Sequence, residues 1–145
     1  MSAPLRLADL SPGLAWETAG LVVTEAHVVA FAGLSGDFFA LHMDDQFARE
    51  QGFEGRVAHG LLGLALVDGL KNRAATQLDA IASLEWTWRF VAPVYPGDRL
   101  QGRLEVLEAR PSSRPGRGVV KLGVAVLNQR GQRVQEGVNT LLVRA

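Results

Sequence analysis

The sequence contains no cysteine. That excludes disulfides, a thiolate nucleophile and thiolate metal ligands together, and it is compatible with a cytoplasmic protein, the location we expect. There is no excess of charge of either sign. Fifteen Lys and Arg face fifteen Asp and Glu, and the pI is about 6.8. A balanced chain gives no electrostatic reason to expect nucleic acid or an anionic membrane as partner. Long hydrophobic runs are missing too. The longest apolar stretch, around Leu61 to Val67, is far too short to span a bilayer. The first ten residues carry one basic residue, Arg6, and no continuous apolar core, so they do not read as a signal peptide. No internal repeat and no low-complexity tract are present.

What is present suits a single domain over residues 1–145. The length and the 48% apolar share allow a real core without a metal or disulfide staple. Thr24 can cap a short helix that starts at Glu25, and Asp44 can cap a second, Asp45 to Gln51, ended by Gly52. The stretch His59 to Leu70 is apolar almost all round, so it predicts a helix buried on most sides. The second half is strand-like. In Glu85 to Phe90, aromatics alternate with polar residues. Strands follow from Leu100 to the Arg110–Gly118 loop, from Val119 to Leu127 and from Val134 to Val143. Pro96-Gly97 and Asn128 to Gly131 are turn chemistry. An earlier strand is expected within Ala15 to Val23. Consecutive strands with short loops predict antiparallel pairing, hence an α+β fold with a curved antiparallel sheet around one apolar helix.

The densest chemistry lies in Leu34 to Ala48, where Asp37 and His42 stand five residues apart between two helices. A carboxylate beside an imidazole can hold a water and move protons both ways. The plainer alternative is a turn-capping Asp37 and a satisfied core His42. Residue types alone favour the plainer one.

The segment resembles the hydratase motif of MaoC-like dehydratases and (R)-specific enoyl-CoA hydratases. That motif reads Ser-Gly-Asp, any residue, Asn-Pro, an aliphatic residue, His, with a small residue six positions later. It is matched by Ser35, Gly36, Asp37, Leu41, His42 and Ala48. Three further blocks are similar: Gly52 to Leu62, Arg89 to Asp98, and Asn128 to Gly137. One departure stands out: the Asn-Pro of the family is Phe39-Ala40. The resemblance implies a hot-dog fold and hydration of a trans-2-enoyl-CoA thioester, or the reverse. It implies Asp37 and His42 as the catalytic pair, holding one water between them. It also implies the backbone N–H of Gly60 as donor to the thioester oxygen, with Phe39, Ala58 and His59 beside the substrate. Neither a cofactor nor a metal is required. A homodimer or higher homo-oligomer is the expected assembly, with an acyl-CoA substrate as ligand.

Other residues carry weaker expectations. His59 is better taken as a structural side chain at the helix start than as a second base. His27 reads as a solvated helix residue. Asp68, inside the apolar helix, faces a pocket, a partner or a rim. Trp86, Trp88 and Phe90 share one strand face and read as core or interface rather than substrate platform. Arg110, Arg114 and Arg117 can meet phosphates, although a solvated hairpin is the simpler reading. Two other functions remain open: a hot-dog thioesterase, and a non-catalytic acyl-binding subunit.

Overall fold

The computed structural model describes residues 2–145. After a 3-10 turn at Leu7–Asp9 come strand β1 (Ala15–Val22) and helices α1 (Glu25–Ser35), α2 (Ala40–Met43), α3 (Asp45–Glu50) and α4 (Gly60–Lys71). Strands β2 (Ala80–Phe90), β3 (Arg99–Pro111), β4 (Arg117–Leu127) and β5 (Arg133–Arg144) complete the chain. These five strands form one antiparallel sheet in the order β1-β3-β4-β5-β2. The α+β expectation holds, as do the helix starts. Thr24 accepts a hydrogen bond from His27 N, and Asp44 accepts from Gln46 N and Phe47 N. His27 is more than solvated. Its Nδ1 lies 3.0 Å from Thr24 N and closes a reciprocal cap.

The turns follow their chemistry. Asp98 N donates to Tyr95 O across Pro96-Gly97, and Gly97 takes φ 99°. The side chain of Asn128 accepts from Arg130 N and Gln132 N, while Gly131 takes φ 73°. Both glycines occupy a backbone region that other residues rarely adopt.

Alternation along β3 and β4 sends Leu100, Leu104, Val106, Val120, Leu122, Val124 and Val126 inward, all buried. They pack with Leu62 and Val67 of α4 and with Val134, Leu141 and Val143 of β5. Each such side chain contributes about 1.5–3 kcal/mol relative to exposure. Helix α4 is less enclosed than its composition predicts. Leu62, Gly63, Val67 and Leu70 are buried, yet Leu61, Ala65 and Gly69 form an exposed stripe one turn apart. The last turn of α4 buries Lys71, whose Nζ donates to Asn139 Oδ1 at 2.8 Å, pairs with Asp68 at 2.7 Å and sits over Trp86. Asp68 therefore serves this ion pair at the C-terminal end of α4.

Strand β2 is an edge of the sheet, hydrogen-bonded to β5 on one side. Its register skips at Ile81 and Leu84, and both side chains are exposed. Where β2 meets β5, Gly137 allows no side chain: a Cβ there would fall 1.9 Å from Thr87 O. The backbone of β2 cannot retreat without losing its ladder. Gly137→Ala is therefore expected to cost about 2 kcal/mol or more. Urea unfolding checks this, and a loss below about 0.5 kcal/mol, the scale of an ordinary surface change, would contradict it.

Candidate active site

Helix α1 ends in the motif that carries Asp37. Ser35 Oγ donates to Phe31 O at 2.7 Å and accepts from Asp37 N at 3.1 Å. Gly36 takes the left-handed conformation, φ 79°, that stops the helix and turns the chain. Within Ser35-Gly36-Asp37 the serine thus ties the helix end, the glycine turns the chain and the aspartate is presented. The Asp37 carboxylate is half exposed, with Oδ1 accepting from Phe39 N at 3.2 Å and Oδ2 free to face His42.

His42 sits on α2, a single helical turn where the sequence predicts a connecting loop. Position 39 is the N-cap of that turn and position 40 its first residue. Those are the sites where Asn and Pro favour a helix start, which explains the Asn-Pro of the motif. Phe39 gives no side-chain cap. Its ring instead packs edge-on against His42 at 5.9 Å and Phe47 at 5.8 Å. Aromatic packing takes over from capping, and Ala40 keeps the turn helical.

His42 Nδ1 lies 2.7 Å from Val57 O. A carbonyl only accepts, so Nδ1 carries a proton, and in the neutral ring Nε2 would present a lone pair. That nitrogen faces Asp37 Oδ2 at 3.8 Å, too long for a direct hydrogen bond. The ring of His59 stacks on His42 with centroids 3.9 Å apart, and Phe31 covers its other side at 4.9 Å. His59 Nε2 is 2.9 Å from Asp37 O. His59 does not cap α4 with its side chain. It ties the Asp37 loop to the start of α4 and props the His42 ring, a structural role with a different target from the one expected. Asp37, His42 and His59 bring one ligand atom each within 4.8 Å of one another, the donor types of a divalent-cation site. The two rings are stacked 27° from parallel, so their in-plane lone pairs run side by side rather than to one point.

A cleft of about 430 Å³ opens beside this pair. Phe31, Leu41, Val57, Ala58, Val91 and Val94 give it mostly apolar walls. Ala58 N donates to Val94 O at 2.7 Å, which fastens the α4 approach to the β2–β3 connection. At one side stands Gly60, the first residue of α4. The first bond of the helix runs from Gly63 N to His59 O, leaving the amides of Gly60 to Leu62 outside the helical ladder. The glycine at 60 answers to a neighbour: a Cβ would meet the Phe90 ring at 2.6 Å.

The structure brings together Asp37, His42, Ala58, His59 and Gly60. Phe39 flanks His42 but is not among the residues lining the cleft. Arg110, Arg114 and Arg117 line a separate cleft with Ser112 and Ser113 at the β3–β4 hairpin. Phe90 and Gln135 are among the lining residues that carried no site expectation. Phe90, expected with the tryptophans as core or interface, is 56% exposed and borders the cleft. Gln135, its register partner on β5, is buried and also borders it. No local signal singles it out, because β5 also carries Glu136, Asn139 and Thr140.

A family model described as MaoC like domain matches residues 11–128. An (R)-specific enoyl-CoA hydratase of Aeromonas caviae is 38% identical over 85 residues, 59% of this chain and 63% of that protein. A MaoC protein of Klebsiella aerogenes is 40% identical over 97 residues, 66% of this chain and 29% of its own length. The chain thus spans less than two thirds of both relatives. Among solved structures, an (R)-hydratase of Pseudomonas aeruginosa superposes with TM-score 0.81 at 31% identity, covering 97% of this chain and 86% of that one. A Mycobacterium tuberculosis protein with a double hot-dog fold superposes at 0.83 over 98% of this chain and 44% of its own, and at 23% identity it speaks to the fold alone. The fold is a hot dog.

Arg56 is one of several residues that hold the segment between α3 and α4. Arg56 donates its backbone N–H to Asp45 Oδ1 at 2.8 Å and its side chain to Asp45 and to Glu25 of α1. The backbone hydrogen bond from Arg56 holds the Asp45 carboxyl below its ordinary range, aided by the Arg56 and Arg49 charges and opposed by desolvation. A carboxyl depressed in the folded state contributes stability above its unfolded value and loses it as pH falls through the folded one. Asp45→Asn is expected to be less stable at neutral pH, yet to lose less stability than wild type on acidification below about pH 4. Urea midpoints across that range check this, and parallel curves would contradict it.

Proposed function

Because this chain belongs to the MaoC-like domain family, we propose that it is a hydro-lyase acting on coenzyme A thioesters. It adds water across the double bond of a trans-2-enoyl-CoA, or removes water from the 3-hydroxyacyl thioester. The observation that carries the reading is the facing pair at the cleft, Asp37 Oδ2 and His42 Nε2, 3.8 Å apart. One water oxygen can span that gap with an ordinary hydrogen bond to each. The neutral imidazole accepts a proton from the water as its oxygen adds to C3, and the pair returns a proton to C2. One water is consumed and the proton count closes. Dehydration runs the same steps backwards.

Addition at C3 places negative charge on the thioester oxygen. We assign the backbone amide of Gly60, at the positive end of α4, as the donor to it. Ala58, His59 and the Phe39-supported turn keep the pair and the cleft wall in register. The chemistry needs neither a metal nor a redox cofactor. A thioesterase would need one carboxylate to activate water against the carbonyl carbon. An imidazole facing that carboxylate supports the lyase instead.

We also propose a homodimer. The free edge of β2 offers unpaired backbone groups beside Ile81 and Leu84, and Leu61 of α4 is 61% exposed. A long exposed edge strand is a template for pairing, and a second copy would cover it. Light scattering at micromolar concentration should report twice the 15.6 kDa chain mass. A monomer with full activity would contradict the dimer.

Two groups that share one water act as a unit. Asp37→Asn and His42→Ala are each expected to slow hydration of crotonyl-CoA or a longer enoyl-CoA by about 10²–10⁴. The double variant should be little worse than either single one. The rate is read from loss of the conjugated thioester absorbance, with circular dichroism to verify folding. Near-wild-type rates in both singles would refute the pair, and effects that multiply would refute the shared water.

A further inference from the structure

Gln135 joins the sheet to the first turn of α4 through polar atoms at the cleft. It leaves β5 fully buried, at 2% exposure. Its Nε2 donates to Gly60 O at 3.1 Å, and its Oε1 accepts from Trp88 Nε1 at 3.0 Å. Room for the amide comes from the helix itself: a Cβ at Gly63 would fall 2.4 Å from Gln135 Nε2. The helix thus gives up a side chain where the glutamine reaches in. A buried amide of this kind would be costly unpaired, so both bonds constrain its position.

We infer that Gln135, held by Trp88, is a positioning residue that fixes the Gly60 peptide and so aims the free amides at the start of α4 into the cleft. This rests on the hydratase reading. Gly60 O and the Leu61 amide belong to one rigid peptide plane, so fixing the oxygen fixes that N–H. The Gly60 amide shares the same Cα. Glycine has the widest backbone freedom of any residue, and at 60 the Phe90 ring leaves no space for a Cβ that would restrict it. An external tether replaces that restriction. Donors fixed before the reaction stabilise developing charge without reorganising, so the benefit belongs to the transition state.

The test uses Gln135→Met, which keeps volume and removes both bonds, and Trp88→Phe, which removes only the donor to Gln135. Two readouts are taken on the full chain: amide hydrogen exchange along α4 without substrate, and steady-state hydration of an enoyl-CoA. In Gln135→Met, exchange should quicken at Gly63 and Leu64, the first amides inside the helical ladder, and remain unchanged near Val67. The kcat should fall about 10–100-fold with KM within about threefold. Trp88→Phe should show the same signature more weakly, and the double variant should match Gln135→Met, because Trp88 acts through Gln135. A purely structural role would instead raise exchange along the whole helix and leave kcat per folded molecule unchanged. Unchanged exchange at Gly63 and Leu64 overturns the tether. Altered exchange with wild-type kcat overturns the positioning role. Multiplying effects overturn the link through Trp88. Should the wild-type chain hydrate no enoyl thioester, the proposed function fails, and the exchange data alone still decide the tether. Should Gln135→Met not fold, Trp88→Phe carries both readouts.

Discussion

The close approach of α4 to the sheet governs this molecule. Three glycines make it possible. Gly63 leaves space for Gln135, Gly102 of β3 lies under Thr18 and Val67, and Gly60 lies under Phe90. Apolar packing holds the helix on the sheet, and polar tethers add directional bonds at both ends. One is at the N-terminal end, Gly60 to Gln135 to Trp88. The other is at the C-terminal end, Lys71 to Asn139, with Trp86 beneath the ammonium. Both draw on the same two strands, β5 through Gln135 and Asn139 and β2 through Trp88 and Trp86. The tether at the N-terminal end borders the cleft, and the one at the C-terminal end does not.

In the motif around Asp37 most positions shape the backbone. Ser35 and Gly36 finish a helix, and positions 39 and 40 start another. Only Asp37 and His42 present groups to each other, and His59 steadies both from behind. The spacing of five residues is therefore the length of chain needed to end one helix, turn, and complete most of one further turn. Phe39-Ala40 retains that geometry through a different interaction, ring packing on His42 and Phe47.

Most of the fold was legible because its signals are local. Thr24 and Asp44 cap helices, Gly97 and Gly131 turn the chain, and β3 and β4 alternate inward and outward as their sequence does. The Asp37–His42 pair was legible through its motif and the blocks that accompany it. Other features depend on what lies across space. No local pattern announces that Gln135 meets Gly60, or that His59 reaches Asp37 O twenty-two residues away. Phe90 alternates in step with Trp86 and Trp88, yet it lies at the end of β2 beyond the cover of the core, so periodicity could not separate it from them. The single turn at Ala40–Met43 is too short to show any period. Composition made α4 seem buried on most sides because it cannot tell a buried face from an exposed one.

The strand order also bears on how the chain finds its structure. β3, β4 and β5 are consecutive hairpins, whereas β1 pairs with β3 and β2 with β5 across long stretches of chain. Local pairings close cheaply, and distant ones must first overcome loop-closure entropy. The central meander is thus the natural nucleus, and the two outer strands with α4 are later arrivals. Phe90 comes with β2 and Gly60 with α4, so the walls of the cleft meet only once both have docked. On this order the cleft is among the last features of the fold to form, and partly unfolded molecules lose it before they lose the sheet.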